Sequence, residues 1–75
     1  MLFLAPPVGV LLDVTLRRDG LLRRWTITSR TGRWDCRLII PDAMVVSACF
    51  TLACVAAAVQ SWTQQIDAAK AEGWA

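Results

Sequence analysis

Hydrophobic and polar residues alternate along the first part of the chain. Over residues 8–18 the apolar side chains fall on one face of an extended backbone: Val8, Val10, Leu12, Val14 and Leu16. This alternation predicts a half-buried β-strand. Asp19-Gly20 follows, a dipeptide that tolerates positive φ at both positions and suits a two-residue hairpin turn. We therefore expect a second strand over residues 21–30.

The two predicted turns fix how the strands pair. With the first turn as the loop, Val14 lies opposite Trp25, so that apolar side chains meet on one face. With Thr31-Gly32 as the second loop, Trp25 lies opposite Leu38 in a third strand over residues 33–40. The predicted inner face is then Val10, Leu12, Val14, Leu16, Trp25, Ile27, Trp34, Cys36, Leu38 and Ile40.

The remainder of the chain is predicted to be one helix. Pro41 cannot donate to a strand ladder, and Asp42 is suited to a helix N-terminus. No Pro or Gly interrupts the chain until Gly73, a residue that commonly ends helices. These signals predict a helix over residues 42–72.

The predicted fold class is α+β: a three-stranded antiparallel β-meander followed by one long C-terminal α-helix, within a single domain of residues 1–75. Whether Met1–Ala5 adds another strand is left open. The segment Met1–Pro7 contains no basic residue and has two prolines, so no signal peptide is expected. The expected location is cytoplasmic.

An apolar stripe with spacings of three and four runs along the predicted helix: Val45, Ala48, Leu52, Val55, Val59, Trp62, Ile66 and Ala69. A thirty-residue helix reaches about 45 Å, whereas a nine-residue strand spans about 30 Å, so the helix outruns the sheet. The preferred prediction is a homodimer in which helix packs on helix. The residues expected to form it are Val45, Leu52, Val55, Val59, Trp62 and Ile66.

A membrane span is the competing interpretation of the same segment. Residues 43–59 are uncharged, a length at the lower limit for a transmembrane helix. The segment is nevertheless rich in Ala and contains Ser47 and Thr51, which makes it a weak candidate for insertion. A small single-span membrane protein therefore remains an alternative.

Composition and charge change the picture in two ways. The chain is 56% hydrophobic, which excludes disorder and favours association with a partner. The net charge is only +2, but residues 1–41 hold seven Arg against three Asp, whereas residues 42–75 hold one Lys against three acids. The predicted sheet is therefore basic, which suits an anionic partner.

No catalytic or metal-binding constellation is found. The chain has no His, and its three cysteines, Cys36, Cys49 and Cys54, form no CxxC motif. We therefore expect no metal, no cofactor and no enzymatic activity. Cys49 and Cys54 are five residues apart on the predicted helix and would point away from each other, so all three are expected to be buried, reduced thiols.

The most informative surface is the outer face of the sheet, opposite the apolar one. The residues predicted to bind a partner there are Arg17, Arg24, Arg30, Arg33, Arg37 and Thr26. The predicted function is a small non-enzymatic interaction module, such as a phage or mobile-element adaptor or inhibitor, that binds an acidic protein surface. The alternative is a dimer that binds single-stranded nucleic acid, although the sheet's tryptophans fall on the inner face.

Overall fold

The protein folds as an antiparallel meander of four strands followed by one helix, in a computed structural model that describes residues 9–30 and 32–75. Within this range the elements are β1 (Gly9–Arg18), β2 (Leu21–Arg30), β3 (Arg33–Ile40), β4 (Ala43–Cys49) and α1 (Leu52–Ala71). The strands lie in the order β1-β2-β3-β4. The α+β class is confirmed, but the sheet has one strand more than predicted. The possible strand at Met1–Ala5 lies outside the described residues.

The predicted pairing of the first three strands is confirmed over most of its length. Trp25 lies opposite Val14 on one side and opposite Leu38 on the other. Asp19 and Gly20 have φ values of 52° and 78°, the left-handed conformations that a tight hairpin requires. The first turn therefore sets the register as the sequence indicates.

One irregularity changes the end of the first strand. The register shifts between Val10 and Leu12, so that Val10 pairs with Thr28 and Leu12 with Ile27. Leu11 is the extra residue of a β-bulge, which reverses the side-chain alternation before it. Val10 therefore lies on the outer face and is 66% exposed, which corrects its predicted place on the inner face.

The predicted helix of residues 42–72 is wrong over its first ten residues. Pro41 and Asp42 form a tight turn, and β4 then pairs antiparallel with β3, with Val45 opposite Leu38. A short apolar run fits both periodicities, and here β-branched side chains next to an unpaired strand favour the extended form. The helix begins only after Thr51, whose side-chain oxygen accepts the Cys54 N–H at 3.1 Å.

This correction also removes the predicted membrane span as a single helix. Residues 43–59 are divided between β4 and α1. Within the part of the chain that the structure describes, no helix is long and apolar enough to cross a bilayer.

Helix α1 crosses the inner face of the sheet diagonally. It begins next to Cys49 of β4, at the end of the sheet where Gly9 begins β1. The residues that follow the helix reach Arg17, at the opposite end of β1. Two adjoining clusters of buried residues fill the interface between the helix and the sheet. The first contains Leu16, Trp25, Ile66, Ala69 and Trp74, and the second contains Ile27, Cys36, Cys49 and Val55.

Hydrogen bonds from two indoles tie the helix to the sheet. Trp25 Nε1 donates to Gln65 Oε1, and Trp62 Nε1 donates to the Thr26 carbonyl oxygen, both at 3.2 Å. Burying an indole N–H without a partner would cost free energy, so these bonds allow large rings to fill the core.

The last two residues form a clasp on the edge of the sheet. Ala75 exchanges two backbone hydrogen bonds with Arg17, of 2.8 and 3.1 Å, and so adds a short extension beside β1. Trp74 is buried in the core, and the guanidinium of Arg23 lies 4.4 Å from its ring centroid. Gly73, with a φ of 100°, makes the turn from the helix into this clasp.

The cysteine prediction is wrong for two of the three residues. Cys49 and Cys54 form a disulfide, with their Cα atoms 5.6 Å apart. The prediction failed because it placed Cys49 on the helix, whereas it ends β4 and faces the first turn of α1. Cys36 is a buried free thiol, and burial, followed by the charge of Asp35, raises its pKa.

Removing the Trp74 side chain tests the clasp. Trp74→Ala should lower the free energy of unfolding by about 3–5 kcal/mol, because it empties a core position occupied by a large aromatic ring. Leu21→Ala, at a side chain that is about half exposed, serves as the control and should cost much less. Urea denaturation measures both, and equal losses would show that Trp74 is not part of the core.

The disulfide should stabilise the junction between β4 and α1. Closing a loop with a sequence separation of 5 residues gives about 2 kcal/mol of entropic stabilisation. Dithiothreitol should therefore lower the stability of the wild type by that amount and have no further effect on Cys54→Ser. If the wild type were insensitive to reductant in denaturation experiments, the disulfide would contribute nothing.

Candidate interaction surface

The outer face of the sheet is its side opposite α1. Strand pairing places all the predicted partner-binding residues on this face: Arg17, Arg24, Arg30, Arg33, Arg37 and Thr26. The other two sheet arginines, Arg18 and Arg23, alternate onto the helix side. The sequence therefore assigned these residues to one face correctly, since the bulge lies upstream of all of them.

Two of these arginines are engaged by acids on the same face. Arg24 binds Asp13 across the β1–β2 pair through two hydrogen bonds, Nε to Oδ1 at 3.0 Å and Nη2 to Oδ2 at 2.7 Å. Arg33 Nε lies 3.1 Å from Oδ1 of Asp35, a buried carboxylate. These pairs orient the guanidinium groups and neutralise part of their charge.

The Asp13–Arg24 pair shifts the ionisation of both groups. Hydrogen bonds from Arg24, opposed by desolvation and helped by the charge of Arg24, hold the pKa of Asp13 below its usual value. The same contact raises the pKa of Arg24. Because both side chains are well exposed, the pair orients the surface more than it stabilises the fold.

The remaining arginines differ in their surroundings. Arg17 and Arg30 are exposed and form no ion pair with the residues that the structure describes. Arg30 lies directly opposite Arg33, an arrangement of like charges that weakens a strand pair unless an anion neutralises it. This end of the β2–β3 hairpin therefore places two guanidinium groups side by side on the outer face.

Arg37 and Thr26 lie in the middle of the sheet and are less accessible. Thr26 is only 7% exposed, so its side chain offers a partner little contact area. Arg37 lies between Thr26 and Val46, and its Nε is buried without a hydrogen-bond acceptor among residues 9–30 and 32–75. These two residues form the floor of the surface more than its contact points.

Apolar side chains border the arginines on the β4 side. Ile39 pairs with Met44, and Val46 pairs with Arg37, so all three lie on the outer face. Met44 and Val46 are 56% and 51% exposed. A surface that mixes Arg with Met and aliphatic residues resembles the composition of protein–protein interfaces.

The tryptophans contribute nothing to the outer face. Trp25 and Trp34 lie on the helix side of the sheet, Trp62 of α1 packs against the core between helix and sheet, and Trp74 is buried in the clasp. Single-stranded nucleic-acid binders stack bases on exposed aromatic rings. The tryptophans therefore give the outer face no such ring, and the exposed ring of Phe50 lies beyond the end of β4.

Four of the six predicted dimerisation residues pack against the core of their own chain. Val55 and Ile66 are buried against the sheet, and Val59 and Trp62 pack against the same core clusters. The other two, Val45 and Leu52, remain exposed, together with Met44, Val46 and Phe50, which sequence reasoning missed. The Val45-Val46 pair between a Pro-Asp turn and Thr51 was the signal that could have identified them.

No metal centre is formed by the described part of the chain, where no group of three or more His, Cys, Asp or Glu side chains could hold an ion. Comparison with protein-family models, curated proteins and solved structures finds no match to this chain. The case for a function therefore rests on the surfaces themselves.

Titration of Asp13 tests the geometry of the surface. Carboxyl carbon NMR should show a pKa for Asp13 below that of an ordinary aspartate, and Arg24→Gln should return it to the usual range. Because the folded-state pKa is lowered, any stabilisation from this group is complete above the unfolded-state pKa and lost as the pH falls through the folded value. A normal pKa in the wild type would contradict the bidentate pair.

Proposed function

We propose that this protein is a small non-enzymatic interaction module that binds an acidic protein surface with the outer face of its sheet. The observation that supports this most is the two-sidedness of the sheet. Helix α1 packs on one face only, and strand pairing places the arginine side chains together on the opposite face. The planar guanidinium group of Arg can bind a carboxylate through two parallel hydrogen bonds.

The Asp13–Arg24 pair illustrates the chemistry that a partner would offer. Its two nearly parallel hydrogen bonds are the geometry in which Arg recognises a carboxylate. Arg17 and Arg30 lie on the same face without such an acid in the described chain. Acidic side chains of a partner would complete the same interaction at these two positions.

The surroundings of the arginines favour protein over nucleic acid as the ligand. Met44, Val46 and Ile39 supply apolar area next to the charges, which suits a folded partner. Binding of single-stranded nucleic acid would need exposed aromatic rings beside the arginines, and the described tryptophans all lie elsewhere. Nucleic-acid binding is therefore the alternative that the binding experiment has to distinguish.

Two further predictions from the sequence, homodimerisation and a cytoplasmic location, have to be reconsidered in the light of the fold. Homodimerisation stays a prediction, but α1 is not free to mediate it through the face that packs on the sheet. Cytoplasmic location also stays a prediction, and the Cys49–Cys54 disulfide weighs against it because reducing compartments disfavour such bonds. An adaptor or inhibitor role fits either compartment.

Charge reversal on the outer face tests the proposal. The probes are a fluorescein-labelled peptide of Glu and Asp residues interspersed with Leu and Phe, and an oligothymidylate of about twelve nucleotides. Arg17→Glu combined with Arg30→Glu should weaken peptide binding at least about tenfold, because each change places a carboxylate where the partner's acids bind. Fluorescence anisotropy measures affinity, and circular dichroism confirms that folding is retained.

The matched control reverses two charges away from the outer face. Arg18→Glu combined with Lys70→Glu alters the net charge by the same amount and should leave peptide affinity within about twofold. Equal losses in both double variants would mean that net charge alone is responsible. Tighter binding of the oligothymidylate, with a steep dependence on salt, would favour the nucleic-acid alternative instead.

A further inference from the structure

The outward side of β4 is an exposed strand edge without the features that usually protect one. Among the described residues β4 pairs only with β3 and ends the sheet. It contains no charged residue and no Pro, the two devices that commonly block association at an edge. The opposite edge differs, since β1 carries Asp13 and its Arg17 end is closed by Ala75.

Apolar side chains cluster along this edge. Met44, Val45 and Val46 are each more than half exposed, and Phe50 and Leu52, just after the strand, are 71% and 76% exposed. Together they expose on the order of 500 Å², at the upper end of what a monomer shows as its largest apolar patch. The other exposed residues of β4, Ala43, Ser47 and Ala48, add to this area and bring the surface towards the ~800 Å² per partner of a standard interface.

The diagonal course of α1 leaves a complementary hollow beside the same edge. The helix starts at the Cys49 end of β4, so the other end of β3 and β4 is uncovered on the inner face. A cleft of about 330 Å³ lies there, lined by Leu38 and Ile40 of β3, by Gln65 and Ala68 of α1, and by the charged residues Arg23 and Glu72. Val45, on the same face of the neighbouring strand, is 53% exposed.

We propose that β4 pairs antiparallel with β4 of a second copy, forming a homodimer with a continuous eight-stranded sheet. A two-fold axis at Val46, the middle residue of β4, pairs Met44 with Ala48 of the second copy and Val45 with its Ser47. Large side chains then lie opposite small ones, and no like charges meet along the strand.

The same axis brings the two exposed regions together. It is perpendicular to the sheet, so both helices lie on one face and the Cys49 end of each β4 lies beside the Ala43 end of the other. Phe50 and Leu52 of each copy then approach the uncovered corner of the other, next to Val45 and Ile40. Each chain thus supplies both the apolar projections and the hollow, which is the self-complementarity that a two-fold interface requires.

Edge-specific charge insertion tests this dimer. Sedimentation equilibrium of the full chain should give twice its mass of 8.3 kDa. Val46→Lys should weaken the dimer by about 100-fold or more, because two ammonium groups would face each other at the axis. The matched control is Val10→Lys, the same change at an exposed valine of the other edge strand, which should leave the dimer intact.

Crosslinking tests the axis without relying on a destabilised variant. Residues directly opposite in an antiparallel pair have Cα atoms about 4.5–5.5 Å apart, which suits a disulfide. Val46→Cys should therefore crosslink to itself between copies under mild oxidation. Met44→Cys, on the same strand and face, would be about 14 Å from its counterpart and should not.

The contrary outcomes are distinct from failure of the proposed ligand-binding face, because mass and crosslinking are measured on the protein alone, without the acidic peptide. A monomeric wild type would overturn the dimer, as would assemblies larger than two. A dimer that survives Val46→Lys but is lost in Ala57→Lys, on the exposed side of α1, would assign the contact to the helix and overturn the proposal too. Crosslinking of Met44→Cys in preference to Val46→Cys would likewise exclude this axis.

Discussion

The structure depends on one geometric constraint: a single helix must cover the apolar face of a sheet that is wider than the helix. Twenty residues of α1 extend about 30 Å, enough to cross the sheet from corner to corner. A helix cannot cover the whole of a four-stranded face, so the diagonal course shelters the centre and leaves one corner open. The tryptophan core, the C-terminal clasp and the exposed β4 edge all follow from that course.

The two ends of the helix are both fastened, and by different means. At its start the Cys49–Cys54 disulfide and the Thr51 cap fix α1 to the end of β4. At its end the Trp74 ring enters the core and the Ala75 backbone bonds to β1. In a chain of 75 residues the core alone gives little margin of stability, and these attachments supplement it.

The sequence predicted the three-stranded part of the fold well because two independent turns and one alternation agree on the register. It failed at residues 42–49, where a short apolar run satisfies helical and extended spacing equally and only pairing with β3 decides between them. The disulfide was missed for the same reason, since Cys49 could approach Cys54 only from a strand. The bulge at Leu11 leaves no clear signal in the sequence.

The sequence predicted which side chains lie on each face of the sheet wherever the alternation along a strand was predicted correctly. The arginines fall on one face as expected, but their pairing with Asp13 and Asp35 and the burial of Thr26 depend on neighbours across the sheet. The helical stripe was identified correctly as apolar, yet its residues from Val55 onward cover their own sheet. The apolar surface left for pairing with a second copy is therefore the β4 edge.

Amide hydrogen exchange across residues 43–49 tests this account most directly. If β4 is an edge strand, alternate amides should be protected by β3 at low protein concentration, and the intervening amides should become protected as the concentration rises and the edges pair. Uniform, concentration-independent protection with helical chemical shifts would contradict both the strand and its role in assembly.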